Sequence, residues 1–283
     1  MNAPLEGVIY VAFGRPYLAM TLVSVESLKQ TNPNLPVCIV TNVCEQALRL
    51  PFWQDGHDTW SYLPQPSEQN RLVKTSVIDF SPYEKSIYLD CDTIIEQDLS
   101  LAWLLLDYFD LAIRHLSGGT KERPKGKHVV LDGKARLAEL THWNGGVFLF
   151  QRNDRVREFF HLWRSCYEAL SLSMDQVSLV EAIFRSDCRV LSLDKRWNAG
   201  PLAPSDRGDN AIRVRHYKGK IPLSVRKKML GYDRFIPSNG PYGREVSISD
   251  YLRARRTARS KNEGAAASHL KTMRKKLRGM LKP

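Results

Sequence analysis

Along roughly the first 220 positions the apolar residues follow two rhythms that alternate. Gly7-Val8-Ile9-Tyr10-Val11-Ala12-Phe13 is a short β-branched run of strand length, broken by the turn signal Gly14-Arg15-Pro16. From Tyr17 to Lys29 the apolar positions Leu18, Leu22, Val25 and Leu28 fall at helical spacing, and Asn32-Pro33-Asn34 ends that helix. Pro36-Val37-Cys38-Ile39-Val40-Thr41-Asn42 is a second strand. Strand, helix and strand in that order form a βαβ unit, which implies an α/β fold with a mostly parallel sheet flanked by helices.

The pattern loosens over 43–70, where Pro51, Gly56, Pro64 and Pro66 predict a segment looping over the sheet edge. Arg71 to Phe80 reads as a helix with Arg71 and Lys74 on one side, and Ser81-Pro82-Tyr83 then turns into a buried strand over Ile87–Leu89. Leu101–Phe109 predicts a short helix and Leu111–Ile113 a strand, while the polar, basic, Gly-rich stretch 117–136 reads as a loop. A strand follows His142-Trp143-Asn144-Gly145-Gly146. Next come an amphipathic helix over Arg155–Leu170, with Phe159, Phe160, Trp163 and Tyr167 facing the core, and a helix opening at Asp175-Gln176. Strands over Val190–Leu193 and Ile212–Tyr217 complete the pattern.

Candidate chemistry sits where these strands end. The strand Ile87–Leu89 delivers Asp90 and Asp92, which point the same way on an extended chain with Cys91 opposite. In an open α/β sheet the carboxyl edge is where ligands bind. Two carboxylates on one face repel unless a cation or donors lie between them, and an oxygen-seeking divalent ion suits the pair. Three more polar clusters share such positions: Asn144 with its glycines, Asp175 with Gln176, and His216 with Lys218, Gly219 and Lys220. Each has a plain reading as turn, helix cap or solvated charge. Taken together they supply two carboxylates and an imidazole for a metal, with lysines and a glycine beside them to hold a diphosphate.

Charge changes the picture only at one end. The net charge is +12, but residues 251–283 carry eleven Lys and Arg against the single Glu263, a balance of +10 that leaves +2 for residues 1–250. The basicity belongs to an appendage, so nucleic-acid binding by the fold is not expected. Within that appendage Leu270, Met273, Leu277, Met280 and Leu281 fall near helical spacing among basic residues, the pattern of an amphipathic helix on an anionic membrane surface. A solvated chain end is the plain alternative. With 43% hydrophobic residues the chain is of the globular class. No apolar run approaches the roughly 20 residues that span a bilayer. The five cysteines lack C-x-x-C spacing, which fits a reducing cytoplasm better than a disulfide framework. The expected organisation is a domain over 1–250 followed by a basic tail over 251–283.

The order of these motifs resembles the GT-A fold nucleotide-sugar glycosyltransferases, especially the glycogenin-like and lipooligosaccharide galactosyltransferase-like enzymes of family 8. Val11-Ala12-Phe13 to Tyr17, with Ser24-Val25-Glu26-Ser27-Leu28, is similar to that family's opening. Ser81-Pro82-Tyr83 to Leu89-Asp90-Cys91-Asp92-Thr93 resembles its metal motif. Trp143-Asn144-Gly145-Gly146-Val147 resembles its Asn-Ser-Gly segment, Asp175-Gln176 its donor-sugar pair, and His216-Tyr217-Lys218-Gly219 its His-x-x-Gly element. The likeness covers about residues 7–220. The family's Lys-Pro-Trp after the histidine is missing, Lys220 standing instead before Ile221-Pro222.

This resemblance implies transfer of a hexose from a nucleotide-diphosphate sugar, a UDP-hexose, to an acceptor hydroxyl with retention of configuration. Mn²⁺ or Mg²⁺ would be held by Asp90, Asp92 and His216, with Lys218, Lys220 and Lys74 adding positive charge and Gly146 and Gly219 allowing close approach. Ala12 and Tyr17 would contact the nucleobase, and Asn144, Asp175 and Gln176 the donor sugar. The acceptor would be a saccharide, a lipid-linked glycan or a protein, chosen by the loops 51–70, 117–136 and 221–250. A cytoplasmic, peripherally membrane-bound enzyme of envelope glycan synthesis is the expectation. Three other readings compete. One is a nucleotide-binding protein that keeps the fold without catalysis. Another is a nucleotidyltransferase that makes the sugar nucleotide, which would want a Gly-rich opening loop where Phe13-Gly14-Arg15-Pro16 supplies one glycine only. The third is a haloacid dehalogenase-like phosphatase, whose motif Asp90-Cys91-Asp92-Thr93 resembles faintly, with its Thr one place early and its strand not the first.

Overall fold

The computed structural model describes residues 5–43, 58–66, 69–116, 130–131, 135–136, 140–170, 175–204, 211–218 and 221. The first half contains β1 (Glu6–Ala12), α1 (Arg15–Thr31), β2 (Val37–Thr41), β3 (Thr59–Tyr62), α2 (Asn70–Lys74), β4 (Lys85–Leu89), β5 (Thr93–Ile95), α3 (Leu101–Tyr108) and β6 (Leu111–Leu116). The second half contains β7 (Val130–Leu131), β8 (Ala135–Arg136), β9 (His142–Gln151), α4 (Asp154–Leu170), α5 (Gln176–Arg185), β10 (Val190–Ser192) and β11 (Val214–His216).

Seven strands form one sheet in the order β10-β6-β9-β4-β1-β2-β3. All neighbours are parallel except at β9, which runs antiparallel to both β4 and β6. The expected mostly parallel α/β sheet is therefore present. The central strands are buried on both faces, as helix-covered parallel strands must be, and Val8 to Phe13 are fully inaccessible. Leu18, Leu22, Val25 and Leu28 lay the inner face of α1 against the sheet. Gly14 begins that helix with φ 83°, a left-handed conformation natural to glycine, and Pro16 occupies its first turn, where no amide is missed.

On the other side of the sheet an aromatic cluster joins β4 and β9 to α4. Tyr88 and Phe148 stack with centroids 4.6 Å apart, and Phe148 meets Trp163 edge-on at 5.8 Å. Phe159, Phe160 and Trp163 are buried as the periodicity predicts, whereas Tyr167 is only half-buried.

Three expectations need correction. The segment 43–70 contains an edge strand, β3, paired parallel to β2 from Cys38↔Thr59 to Thr41↔Tyr62. The helix expected over Arg71–Phe80 stops after Lys74 and is succeeded by a 3-10 turn, Val77–Asp79. The Thr75 hydroxyl donates to Leu72 O at 2.7 Å, and the Thr75 amide is shared between Arg71 O and Leu72 O, which tightens the last turn and ends the helix. The stretch after Asn144-Gly145-Gly146 is not a strand that begins beyond the glycines: both glycines lie inside β9. The expected loop 117–136 contributes only the pair β7–β8, its remaining positions lying outside the described residues, as do 222–250 and the basic segment 251–283. No helix among the described residues is long and apolar enough to cross a membrane.

At the amino end of β6 a buried carboxylate ties the second half together. Asp110 accepts from Arg155 through both oxygens at 2.9 Å, from the Arg189 amide at 2.9 Å and from Asn153 Nδ2 at 2.9 Å. Burial alone would raise its pKa, but the Arg155 and Arg189 guanidiniums outweigh that and hold the carboxyl well below the usual range.

Candidate active site

β4 ends at Leu89, and Asp90 to Asp92 turn tightly into β5, which begins at Thr93. The Thr93 amide and hydroxyl both bond Asp90 O, at 3.2 and 2.8 Å. Thr93 Oγ1 also meets Ser24 Oγ at 2.9 Å, and Ser24 Oγ meets Tyr10 OH at 3.0 Å. A buried chain of hydroxyls thus runs from β1 through α1 to this turn. Cys91 points the opposite way from the aspartates, its Sγ 3.1 Å from Val11 O. Burial pushes that thiol up to about 12, so it is packing rather than a nucleophile.

The third member arrives from far along the chain. β5 and β11 form an antiparallel ribbon in which Ile95 pairs with Val214, Ile94 with Arg215 and Thr93 with His216. The Tyr217 amide then donates to Asp92 O at 2.9 Å. This register sets His216 beside the aspartate turn. Its Nε2 is 3.2 Å from Asp92 Oδ1 and 3.7 Å from Asp90 Oδ2.

One ligand atom from each of Asp90, Asp92 and His216 lies within 4.8 Å of the others. Ligand atoms around a single ion sit roughly 2.0–2.2 Å from it, and so roughly 3–4 Å apart, as the two distances from His216 Nε2 are. Two carboxylate oxygens and an imidazole nitrogen are a donor set that could hold a divalent cation. Gly146 gives this cluster its room. A Cβ there would fall 2.2 Å from His216 Cε1 and 3.0 Å from Asp90 Oδ2, so any larger residue displaces a candidate ligand.

Asp90 divides its two oxygens between two neighbourhoods. Oδ1 accepts from Lys74 Nζ at 3.0 Å and from Tyr88 OH at 2.8 Å, while Oδ2 turns toward His216. Lys74 reaches across to Asp175 Oδ2 at 2.9 Å and lies 5.0 Å from the Tyr88 ring centroid. Burial alone would lower the Lys74 pKa, but the Asp175 and Asp90 carboxylates outweigh it and raise it. Burial would likewise raise Asp175, yet the Lys74 ammonium holds it below the usual carboxylate range. Both stay charged, in a pocket that a neutral pair would not need.

Asp175 stands at the N-cap of α5 but makes no capping bond with its side chain. Its carboxylate is spent on Lys74, and its carbonyl takes Trp163 Nε1 at 3.2 Å. The helix-cap reading is therefore the wrong one for its side chain. Asn144 is buried, and its Oδ1 accepts from the Gly146 amide at 3.0 Å. A Cβ on Gly145 would stand 3.5 Å from Lys74 Nζ and 3.6 Å from Asp175 Oδ2, so Asn144-Gly145-Gly146 runs along both carboxylate neighbourhoods. Gln176, the first residue of α5, is half-buried beside Asp175.

The remaining candidates lie farther out. Ala12 closes β1 with its methyl buried and its carbonyl held by Thr41 Oγ1 at 2.7 Å, so it offers a ligand backbone only. Tyr17 is exposed in the first turn of α1. Lys218 is exposed two residues beyond His216 and has φ 50°, a left-handed conformation uncommon for a residue with a Cβ. Gly219 and Lys220 lie outside the described residues.

Two participants carry no obvious sequence signal. Tyr88 reads as core, yet its hydroxyl touches Asp90. Asn198 is nearly inaccessible at 1% and touches His216 Nδ1 at 3.0 Å. Its only cue is its place after a strand, in Arg196-Trp197-Asn198. Arg215, next to the histidine, is anchored by Glu96 at 2.5 Å.

Neither family models nor curated proteins match this sequence. Among solved structures, the fold is similar to an active-site glutamine-to-glutamate mutant of LgtC. That match has a TM-score of 0.56 and 16% identity over 80% of this chain and 95% of that one. It is also similar to the galactosyltransferase LgtC in complex with donor and acceptor sugar analogs, with a TM-score of 0.52 and 16% identity over 75% of this chain and 87% of that one. The architecture is the GT-A fold of the nucleotide-sugar glycosyltransferases, as the order of motifs implies.

Proposed function

We propose that the protein is a glycosyltransferase that moves a hexose from a UDP-sugar to an acceptor hydroxyl. The observation that carries this reading is the meeting of Asp90, Asp92 and His216 within 4.8 Å at the carboxyl edge of a GT-A sheet. The residues present fit a divalent cation, Mn²⁺ or Mg²⁺, with Asp90 Oδ2, an Asp92 carboxylate oxygen and His216 Nε2 as its protein ligands. Such an ion, when bound, supplies positive charge that stabilises a departing nucleoside diphosphate.

The chain's own residues supply the rest. Lys74 keeps Asp175 ionised and holds both Asp90 and Asp175 in place. Asp175, Gln176 and Asn144 accept and donate at the donor hexose, whose hydroxyls match a buried carboxylate and two amides. Lys218 adds a cation beside the diphosphate, and Tyr17 with the Ala12 backbone frames the nucleobase. In the reaction the bond from the anomeric carbon to the diphosphate oxygen breaks with its electron pair going to that oxygen, a bond to the acceptor oxygen forms, and the acceptor's hydroxyl proton passes to the departing diphosphate, which leaves as UDP. Retention of configuration is adopted from the family resemblance. The acceptor class we favour is an envelope glycan intermediate at an anionic membrane, met through the basic segment 251–283.

The test is calorimetric titration of UDP into the protein with and without Mn²⁺, repeated on Asp92→Ala. Metal-dependent binding that the variant loses supports the reading. Binding of UDP that ignores both the metal and the substitution, or no binding at all, overturns it.

A further inference from the structure

Behind the cluster of carboxylates and imidazole lies one buried amide. Asn198 closes the 3-10 turn Lys195–Asn198, with Oδ1 3.0 Å from His216 Nδ1 and Nδ2 3.4 Å from Asn144 O. The second contact determines the first. A main-chain carbonyl only accepts, so the end of the amide facing Asn144 is its NH₂ group, and the end facing the ring is its oxygen. That oxygen also only accepts, so His216 Nδ1 must donate to it. Nδ1 therefore carries the ring's fixed proton, and Nε2 is the nitrogen left to face Asp90 and Asp92.

Main-chain pairing holds this contact in register. Ala199 bridges Arg215, with the Ala199 amide donating to Val214 O at 2.9 Å and the His216 amide to Ala199 O at 2.8 Å. The carbonyl of Asn198 itself accepts from Arg114 Nη1. The side-chain amide is thus held by Asn144 and by the ring, on a backbone that Arg114 and the Ala199 pairing fix in place. With Nδ2 committed to Asn144, the amide cannot reverse without placing its oxygen against another carbonyl oxygen.

We infer that Asn198 is a positioning residue that holds His216 in its Nδ1–H form with Nε2 aimed at the two aspartates, and so sets the cluster's affinity for a divalent cation. The assignment of the proton stands on the hydrogen bonds alone; only the use of the cation rests on the glycosyltransferase reading. A partner that orients a ligating imidazole typically accounts for about 10–100-fold in metal affinity.

The experiment uses the full chain, labelled with ¹⁵N-histidine and free of metal, and reads the ring nitrogens by long-range proton–nitrogen correlation, with His216 identified by its absence in His216→Asn. Wild type and Asn198→Asp, whose carboxylate keeps the acceptor for Nδ1 while losing the bond to Asn144 O, should both show a protonated Nδ1; Asn198→Leu should lose that signature. In parallel, free Mn²⁺ counted by electron paramagnetic resonance should show about 10–100-fold weaker binding than wild type for Asn198→Leu, and binding by Asn198→Asp that is weaker than wild type but stronger than Asn198→Leu. A bare Nδ1 in wild type overturns the assignment, as does a cooperatively melting Asn198→Leu that binds Mn²⁺ like wild type. Should Asn198→Leu fail to fold, the wild-type and Asn198→Asp spectra decide the matter. Absence of Mn²⁺ binding by wild type overturns the affinity claim together with the proposed function, while the nitrogen spectrum still judges the tautomer separately.

Discussion

Lys74 Nζ lies 2.9 Å from Asp175 Oδ2, joining a five-residue helix at one end of β1 to the start of α5. The same ammonium holds Asp90 Oδ1 at 3.0 Å, so one cation is shared by two carboxylates that would otherwise repel each other. Lys74→Met removes that charge and leaves Asp175 without its ion-pair partner. Breaking a buried pair from one side typically costs about 3–5 kcal/mol, and the partial exposure of Asp90 puts the expectation at the lower figure. Scanning calorimetry should register the loss, and transfer activity should fall by roughly 10²-fold because the charge also preorganises the site. Lys74→Arg should recover most of the stability and less of the activity. A variant as stable as wild type would show that the pair is not a unit.

Gly146 and Gly145 make a matched test. A methyl at Gly146 collides with the His216 ring, whereas one at Gly145 first meets Leu179 Cδ2 at 3.4 Å, a flexible side-chain end. Gly146→Ala should therefore weaken Mn²⁺ binding by at least about tenfold, the equivalent of about 1.4 kcal/mol. Gly145→Ala should change it little. Equal effects on the two would mean that the ring has room to move away.

The hydroxyl chain from Tyr10 through Ser24 and Thr93 to Asp90 O is fully buried at Ser24 and Thr93. Thr93→Val keeps the shape but removes a donor and leaves Ser24 short of a partner, which should cost about 1–2 kcal/mol of stability. Adding Ser24→Ala on top should cost less than the sum of the two single changes, because the orphaned hydroxyl is removed with its partner. Chemical denaturation of the three variants checks this, and strict additivity would show that the chain is not coupled.

Asp110 governs the response to acid at the other end of the sheet. Its folded pKa lies below its unfolded value, so its stabilising contribution is present above the ordinary carboxylate range and is lost as pH falls through and below that range. Melting temperature measured from pH 7 down to pH 3 should drop less steeply for Asp110→Asn than for wild type, with the variant already less stable at pH 7. Parallel curves would mean that the carboxylate is not shifted.

The βαβ opening, the aspartate strand and the aromatic helix α4 were all legible because each buries a long periodic run, and burial is what periodicity reports. β3 was not, since Thr59-Trp60-Ser61-Tyr62 is a four-residue edge strand only partly buried and set among prolines. The reversed direction of β9 was equally hidden, because an apolar run reads the same both ways. At the site, Asp90, Asp92 and His216 could be named from residue type and position, whereas the ion pairs of Lys74 with Asp90 and Asp175 could not, since no spacing along the chain links these three residues. Tyr88 acts through one side-chain hydrogen bond and Asn198 through two, both from buried positions, and no one-dimensional pattern separates such residues from ordinary core.

The ribbon of β5 and β11 also fixes when the molecule becomes competent. Both aspartates and Lys74 are synthesised early, but the imidazole enters only when the segment carrying residue 216 pairs back onto Thr93. A nascent or proteolysed chain ending short of that point holds the carboxylates without their third partner. On the proposed function, cation binding would report that this ribbon has paired, and a metal-responsive probe would time that pairing.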